Sequence, residues 1–289
     1  MEKVIVVTRS FQSGTGEGGK PFNAEVFEQG VALPIKRLLK DDVVGSIVVV
    51  ANGEQGNRLA EIPNDQGITP TMTALRDYFP EVAPGRILAH LCTNWGPNPG
   101  SAIALNDGLE IAQKQKDIKY VLNWSPEIEM DGTRIGQGLS HAERHNLSVV
   151  GYLRQNWWER PQWNVAQNTA CLWDIKTLSA VNGFALECNG TDRTIQTKEY
   201  GDVPVAGMED FHAMLRMMKQ FQELRWGMVG RAEPLFWDTN FEPGSERLLN
   251  HLKKIARQYQ VMQIYAKDVF PELSFNHVME RLFSSYHLD

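Results

Sequence analysis

Apolar residues along this chain fall into two rhythms. Short contiguous runs rich in β-branched residues alternate with longer stretches in which apolar positions recur every three or four residues. Val4-Ile5-Val6-Val7 and Ser46-Ile47-Val48-Val49-Val50 read as the first two strands. Arg86-Ile87-Leu88-Ala89-His90-Leu91, Tyr120-Val121-Leu122, Ser148-Val149-Val150-Gly151-Tyr152 and Thr169-Ala170-Cys171-Leu172-Trp173 read as further strands, and Gly227-Met228-Val229-Gly230 has the same look. Between the first two strands, Val26, Phe27, Val31, Ile35, Leu38 and Leu39 form a helical stripe that Gly30 and Pro34 should disturb. The turn from Pro97 through Gly100 leads to Ser101, a candidate cap for a helix through Leu105, Leu109 and Ala112. Asp174 or Thr177 begins a helix ending before Gly183. Strands alternating with helices predict an α/β fold with crossover helices.

The rhythm changes at Gly244. Ser245 is a candidate cap, and Leu248, Leu249, Leu252, Ile255, Ala256 and Tyr259 share one helical face. The expected organisation is one α/β domain over residues 1–243 and a helical extension over 244–289, with a last helix near 277–286. A chain of 289 residues accommodates this.

Composition narrows the class. With 42% hydrophobic and 22% charged residues, the chain reads as globular, and no apolar run approaches the length of a spanning helix. Met1-Glu2-Lys3 leads straight into a strand without the pattern of an export signal, so the expected location is the cytoplasm. A formal charge of −6 argues against a general nucleic-acid binder. Cys92, Cys171 and Cys188 are odd in number and widely spaced, which suits neither a disulfide framework nor a zinc site. Oligomeric state is left open.

Candidate chemistry lies in three places. Tyr120-Val121-Leu122 runs into the acidic turn Ser125-Pro126-Glu127, at the strand end where open α/β sheets bind ligands. Asn182-Gly183-Phe184 follows a helix end, and Gly207-Met208-Glu209-Asp210 opens the next helix. Acids in a first helical turn are also common for structural reasons, because the helix dipole stabilises them there. Glu127, Glu129 and Asp131 taken alone would equally suit a solvated loop.

In the order acidic turn, Asn-Gly-Phe, Glu-Asp and then Met214-Leu215-Arg216, the chain resembles the family-2 glycosyltransferases of the GT-A fold over residues 4–238. The resemblance implies a mixed, mostly parallel sheet flanked by helices. It also implies transfer of a sugar from a nucleotide-diphosphate donor to an acceptor hydroxyl with inversion, in polysaccharide or glycoconjugate synthesis. By the same resemblance Asp210, with Glu209 beside it, is the general base. Thr8, Arg9, Asn52, Asn106 and Ser125 approach the nucleotide. Glu127 and Asp238 are candidate ligands of a divalent cation, Mn²⁺ or Mg²⁺. Two positions depart from the pattern: Ser125 stands where the family has the first acid of its Asp-x-Asp turn, and Ala51 replaces the acid of Asp-Asn-Gly-Ser. A nucleotide- or sugar-binding protein of this fold without catalysis is therefore the alternative, with a nucleotidyltransferase behind it.

Two strings are read as decoys. Gly14-Thr15-Gly16-Glu17-Gly18-Gly19-Lys20-Pro21 has phosphate-loop spacing but a proline in the hydroxyl position. Gln222-Glu223-Leu224-Arg225-Trp226 spells a string of membrane-spanning synthases and is read as coincidence. Trp157, Trp158, Trp163 and Trp173 are candidates for sugar stacking or for core packing.

Overall fold

Every strand expected from the apolar runs forms, and all but the edge strand at Ile87–Cys92, which is mostly half-buried, are buried on both faces because helices cover both sides of the sheet. The computed structural model describes residues 3–10, 23–52, 70–79, 86–92, 102–155, 165–167, 169–189, 193–236, 243–284 and 286–288. The strands are β1 (Val4–Ser10), β2 (Val44–Asn52), β3 (Ile87–Cys92), β4 (Tyr120–Trp124), β5 (Val149–Tyr152), β6 (Ala170–Asp174), β7 (Thr194–Thr197), β8 (Gly201–Pro204), β9 (Trp226–Val229) and β10 (Tyr286–Leu288). Eight of them make one sheet in the order β10-β9-β5-β6-β4-β1-β2-β3, and β7 pairs with β8 in a separate hairpin. Within the large sheet β6 runs antiparallel to β4 and β5, and the other pairings are parallel. The sheet is thus mixed and mostly parallel.

The helices are α1 (Ala24–Phe27), α2 (Leu33–Leu38), α3 (Pro70–Tyr78), α4 (Ala102–Gln113), α5 (Gly132–His145), α6 (Ile175–Ala180), α7 (Glu209–Phe221), α8 (Glu246–Val269) and α9 (Phe275–Phe283). Side-chain alternation sorts the sheet's residues cleanly. Ile5, Val7, Val48, Val50, Val121, Cys171 and Trp173 face the core shared with α4, α6, α7, α8 and α9. Val4, Val6, Ile47, Val49, Tyr120 and Leu122 face the core shared with α1, α2, α3 and α5.

Several local outcomes have identifiable causes. The stripe broken by Gly30 and Pro34 does not interrupt the helix; Glu28–Ala32 widens into a π turn, with the Leu33 amide donating to the Glu28 carbonyl, between α1 and α2. Asp174 rather than Thr177 caps α6: its Oδ1 accepts from the Thr177 amide at 2.7 Å and from the Thr177 hydroxyl at 2.6 Å. Asp131 caps α5, its carboxylate accepting from the Arg134 amide at 2.8 Å.

The carboxyl-terminal segment differs from the all-helical expectation. Ser245 does cap α8, accepting from the Leu248 amide at 3.1 Å. The apolar face that enters the core, however, is Val261, Met262, Tyr265 and Ala266, whereas Leu249, Leu252 and Tyr259 are exposed. Only the second half of α8 lies against the sheet-covering helices, so periodicity in the first half did not report burial. The expected helix near 277–286 stops at Phe283, and Tyr286–Leu288 adds β10 to the edge of the main sheet beside β9. Trp226 anchors this return: its indole donates to the Leu282 carbonyl at 2.8 Å and packs on Phe283 and Tyr286. No helix among the described residues is long and apolar enough to cross a membrane.

Candidate active site

The carboxyl ends of β1, β4, β5 and β9 meet the start of antiparallel β6 along one edge of the sheet, and the candidate residues collect there. Arg9 lies two residues beyond Val7, so strand alternation sends its side chain to the face covered by α7. On the α7 side the chain enters through Gly207 and Met208, both with left-handed backbones (φ 78° and 60°). Met208 occupies the cap position without a side-chain cap bond, and Glu209 and Asp210 form the acidic first turn. Phe211, Met214, Leu215 and Met218 are buried, which fixes the helix's rotation and hence the direction of its first turn.

The result is a compact charge cluster. Glu209 Oε1 is 3.9 Å from Arg9 Nη1. Asp210 is 7% exposed, and its Oδ1 accepts from the Phe211 amide at 2.8 Å. Burial lowers the Arg9 pKa, opposed by the charges of Glu209, Asp210 and Glu127 in that order. A fifth charge was missed in the sequence. Arg154, two residues past β5, has its pKa lowered by burial to about 10, with Asp210 opposing the shift, so it is cationic at neutral pH. Its signal was available: like Arg9, it is a basic residue just beyond the end of an apolar run.

The acidic turn after β4 is stiffened by its own bonds. The Trp124 indole donates to the Ile128 carbonyl at 2.9 Å, the Ile128 amide to the Ser125 carbonyl at 2.9 Å, and the Ser125 amide to the Thr169 carbonyl at 2.8 Å. Glu127 stands exposed at the tip of that turn, and Ser125 is half-buried beneath it.

Other expected site residues are placed differently. Asn106 on α4 is tied to the Asn-Gly-Phe turn: its Nδ2 donates to the Phe184 carbonyl and its Oδ1 accepts from the Phe184 amide, each at 2.8 Å. The two motifs therefore meet each other, and Phe184 packs edge-on against Trp173 in the core. Thr8 points to the sheet face opposite Arg9 and is fully buried, its hydroxyl without a hydrogen-bond partner among the described residues, as is that of Ser10. Asn52 ends β2 in register with Cys92. Trp173 and Trp226 are core residues. Asp238, the Gly53-Glu54 turn, Ser101 and the turn before it, the glycine-rich stretch at 14–21, and Trp157, Trp158 and Trp163 lie outside the described residues.

Beneath the cluster is a second set of coupled groups. Tyr265 of α8 is raised well above its ordinary pKa, first by burial and then by Cys188, whose own thiol is pushed up by burial and by Glu209. His212 packs edge-on against Tyr265 at 4.8 Å. Burial, and then Arg216, depress His212 to about 4. The folded protein thus keeps this imidazole neutral in a range where the unfolded chain, near 6.5, takes up a proton. Stability from this residue is present above pH 6.5 and drains away as pH falls towards 4, by up to about 3 kcal/mol. Urea denaturation of wild type and His212→Phe between pH 7 and 4 is expected to show a flatter pH dependence in the variant.

Of the two expected ligands of a divalent cation, Glu127 is described and Asp238 lies outside the described residues. Among the described residues no group of three or more His, Cys, Asp and Glu side chains is arranged to hold a metal. Ser125 brings a hydroxyl where an anionic oxygen would be wanted, and the three acids nearest the cluster already share the Arg9 charge.

A mixed sheet of this order, covered by helices on both faces, with its charge cluster at the carboxyl edge, is the GT-A nucleotide-diphospho-sugar transferase fold. Solved structures with this fold include residues 1–349 of TarS from S. aureus, at 14% identity and a TM-score of 0.50, covering 98% of this chain and 70% of that one. The mannosyltransferase PcManGT from Pyrobaculum calidifontis, solved with GDP-Man and Mn²⁺, matches at 12% identity and a TM-score of 0.54, covering 98% of this chain and 73% of that one. Glucosyl-3-phosphoglycerate synthase from Mycobacterium tuberculosis, in complex with Mn²⁺, UDP-Glc and phosphoglyceric acid, matches at 11% identity and a TM-score of 0.50, covering 91% of this chain and 79% of that one. The chain spans 42% of the longer TarS structure. No protein-family model and no curated protein sequence matches the chain.

Proposed function

We propose that the protein is a glycosyltransferase that moves a sugar from a nucleotide-diphosphate donor to an acceptor hydroxyl by single displacement. The observation that carries this reading is the placement of Glu209 and Asp210, in the first turn of α7, at the carboxyl edge of a GT-A sheet and within reach of the Arg9 charge. In the proposed step the acceptor oxygen attacks the anomeric carbon while its proton passes to the Asp210 carboxylate. The bond from that carbon to the diphosphate oxygen breaks, and its electron pair leaves with the nucleoside diphosphate. Attack opposite the leaving group inverts the centre. Glu209, ion-paired to Arg9, orients the cluster. Asn52 and Ser125, at the ends of β2 and β4, are assigned to the nucleotide side, with Thr8 and Asn106 acting from beneath through the strand end and the Phe184 turn. The acceptor class is a hydroxyl compound.

One observation favours a second reading. Ser125 in place of an acid suits a donor-binding protein without turnover. The two separate in an assay of nucleoside diphosphate released from a panel of UDP-, GDP-, ADP-, CDP- and dTDP-sugars, using water or added sugars as acceptor. Release from one donor class by wild-type protein is the expected result. A donor that raises the melting temperature yet is never cleaved, with or without Mn²⁺, would favour the binding protein. No shift and no cleavage for any donor would remove both readings.

A cation at Glu127, with Asp238 as a second ligand, is the arrangement the sequence resemblance implies. Glu127→Gln reports on it: if Glu127 holds a metal, the variant loses any Mn²⁺-dependent part of the melting shift.

A further inference from the structure

We propose that Arg9 is the cation that receives the donor's diphosphate, taking the place of a divalent metal, so that transfer by this chain needs no metal ion. This rests on the glycosyl-transfer reading above and concerns the same site.

Three independent observations point to it. The first is the charge arrangement. A metal ion held at Glu127 would be repelled by the Arg9 guanidinium, which lies in the field of Glu209, Asp210 and Glu127 and 3.9 Å from Glu209. A guanidinium cannot lose its proton to relieve that repulsion, so the acids are already served by a fixed cation.

The second is the poor oxygen set. Ser125 replaces one acid and brings a neutral hydroxyl where an anionic oxygen would be wanted.

The third is an unmet donor. Arg9 Nη1 is buried and has no hydrogen-bond partner among the described residues, and 3.9 Å to Glu209 is an ion-pair distance too long for a hydrogen bond. A buried N–H without an acceptor is costly unless a ligand completes it. A phosphate oxygen does so, and the planar fork of arginine suits it.

The surroundings fit a diphosphate. α7 begins at Met208 without a side-chain cap from that residue, and the partial positive charge of its amino terminus lies on the same side as Arg9. Arg154 adds a second guanidinium near Asp210, and the two together supply the same formal charge as one divalent ion. As the bond between the anomeric carbon and the diphosphate oxygen breaks, negative charge grows on that oxygen. A preorganised guanidinium beside it stabilises the departing group, while the acceptor's proton is held on Asp210.

Isothermal titration of UDP, GDP, ADP, CDP and dTDP into the full chain, in EDTA and then in Mn²⁺, tests this without relying on turnover. The expected result is one nucleoside diphosphate that binds within about threefold in the two conditions, because the diphosphate is held by protein donors. Arg9→Gln should weaken that nucleotide by about tenfold or more and leave the matching unphosphorylated nucleoside unchanged, with Arg9→Lys in between. Binding that vanishes in EDTA and returns with Mn²⁺ would overturn the inference and leave the glycosyl-transfer reading intact. So would an Arg9→Gln protein that binds as wild type does. If Arg9→Gln melts far below wild type without ligand, the wild-type comparison in EDTA and Mn²⁺ and the Arg9→Lys titration still decide. Failure of every nucleotide in both conditions would sink both this inference and the reading it rests on.

Discussion

Asp210→Asn is expected to lower donor turnover by about 10²–10⁴-fold while leaving nucleotide binding nearly unchanged. The substitution keeps size and shape, and an amide oxygen can still accept from the Phe211 amide as Oδ1 does at 2.8 Å. What it removes is the lone pair that takes the acceptor's proton and the negative charge facing Arg154 and Arg9. Single-turnover release of nucleoside diphosphate measures the first effect, and titration of the same nucleotide checks the second. Glu209→Gln is the companion variant. Its carboxylate is ion-paired to Arg9, so its loss should disturb nucleotide affinity more and turnover less than Asp210→Asn does. The reverse ranking would move the base assignment from Asp210 to Glu209.

Gly183→Ala should be the most destabilising small substitution near the site, by about 3–5 kcal/mol in chemical denaturation. Gly183 has φ 67°, where a side chain is strained, and an added Cβ would lie 2.3 Å from Asn106 Oδ1. Asn106 cannot step aside cheaply, because its amide is held on both sides by the Phe184 backbone. The turn must move instead, taking Phe184 away from Trp173. A double-mutant cycle with Asn106→Ala isolates the cause. In the Asn106→Ala background the clash is gone, so Gly183→Ala should cost only the backbone strain, about 1–2 kcal/mol. Equal costs in both backgrounds would show that the Asn106 contact does not decide the outcome.

How far the sequence reached depends on the range of the interactions involved. Runs such as Val4-Ile5-Val6-Val7 specify their strands because period and β-branching are local properties, and caps such as Asp174 and Ser245 act within three residues. The Asn-Gly-Phe and Glu-Asp motifs were legible as strings, but not their partners. Asn106 and Phe184 are 78 residues apart, and nothing in either segment announces two hydrogen bonds between them. The apolar stripe from Leu248 to Tyr259 on α8 shows the converse failure: it carries Leu249, Leu252 and Tyr259 into solvent, because periodicity reports a helix and not what covers it. β10 went unread for a similar reason. Tyr286-His287-Leu288 is too short to declare a strand, and it becomes one by pairing with the exposed edge of β9.

By itself the sequence determined the alternation of strands and helices, and hence an open α/β sheet. It also determined which positions carry acids at strand and helix ends, since both follow from the period of apolar residues and from short-range capping. Tertiary structure alone decided which of those charges meet. Arg9 faces Glu209 because strand alternation sends it to the α7 side, and the buried residues of α7 rotate its first turn back towards β1. Arg154 joins them because parallel pairing with β9 and antiparallel pairing with β6 end β5 at the same edge. Coulomb interactions depend on distance through space, and that distance is set by packing between segments far apart in the chain.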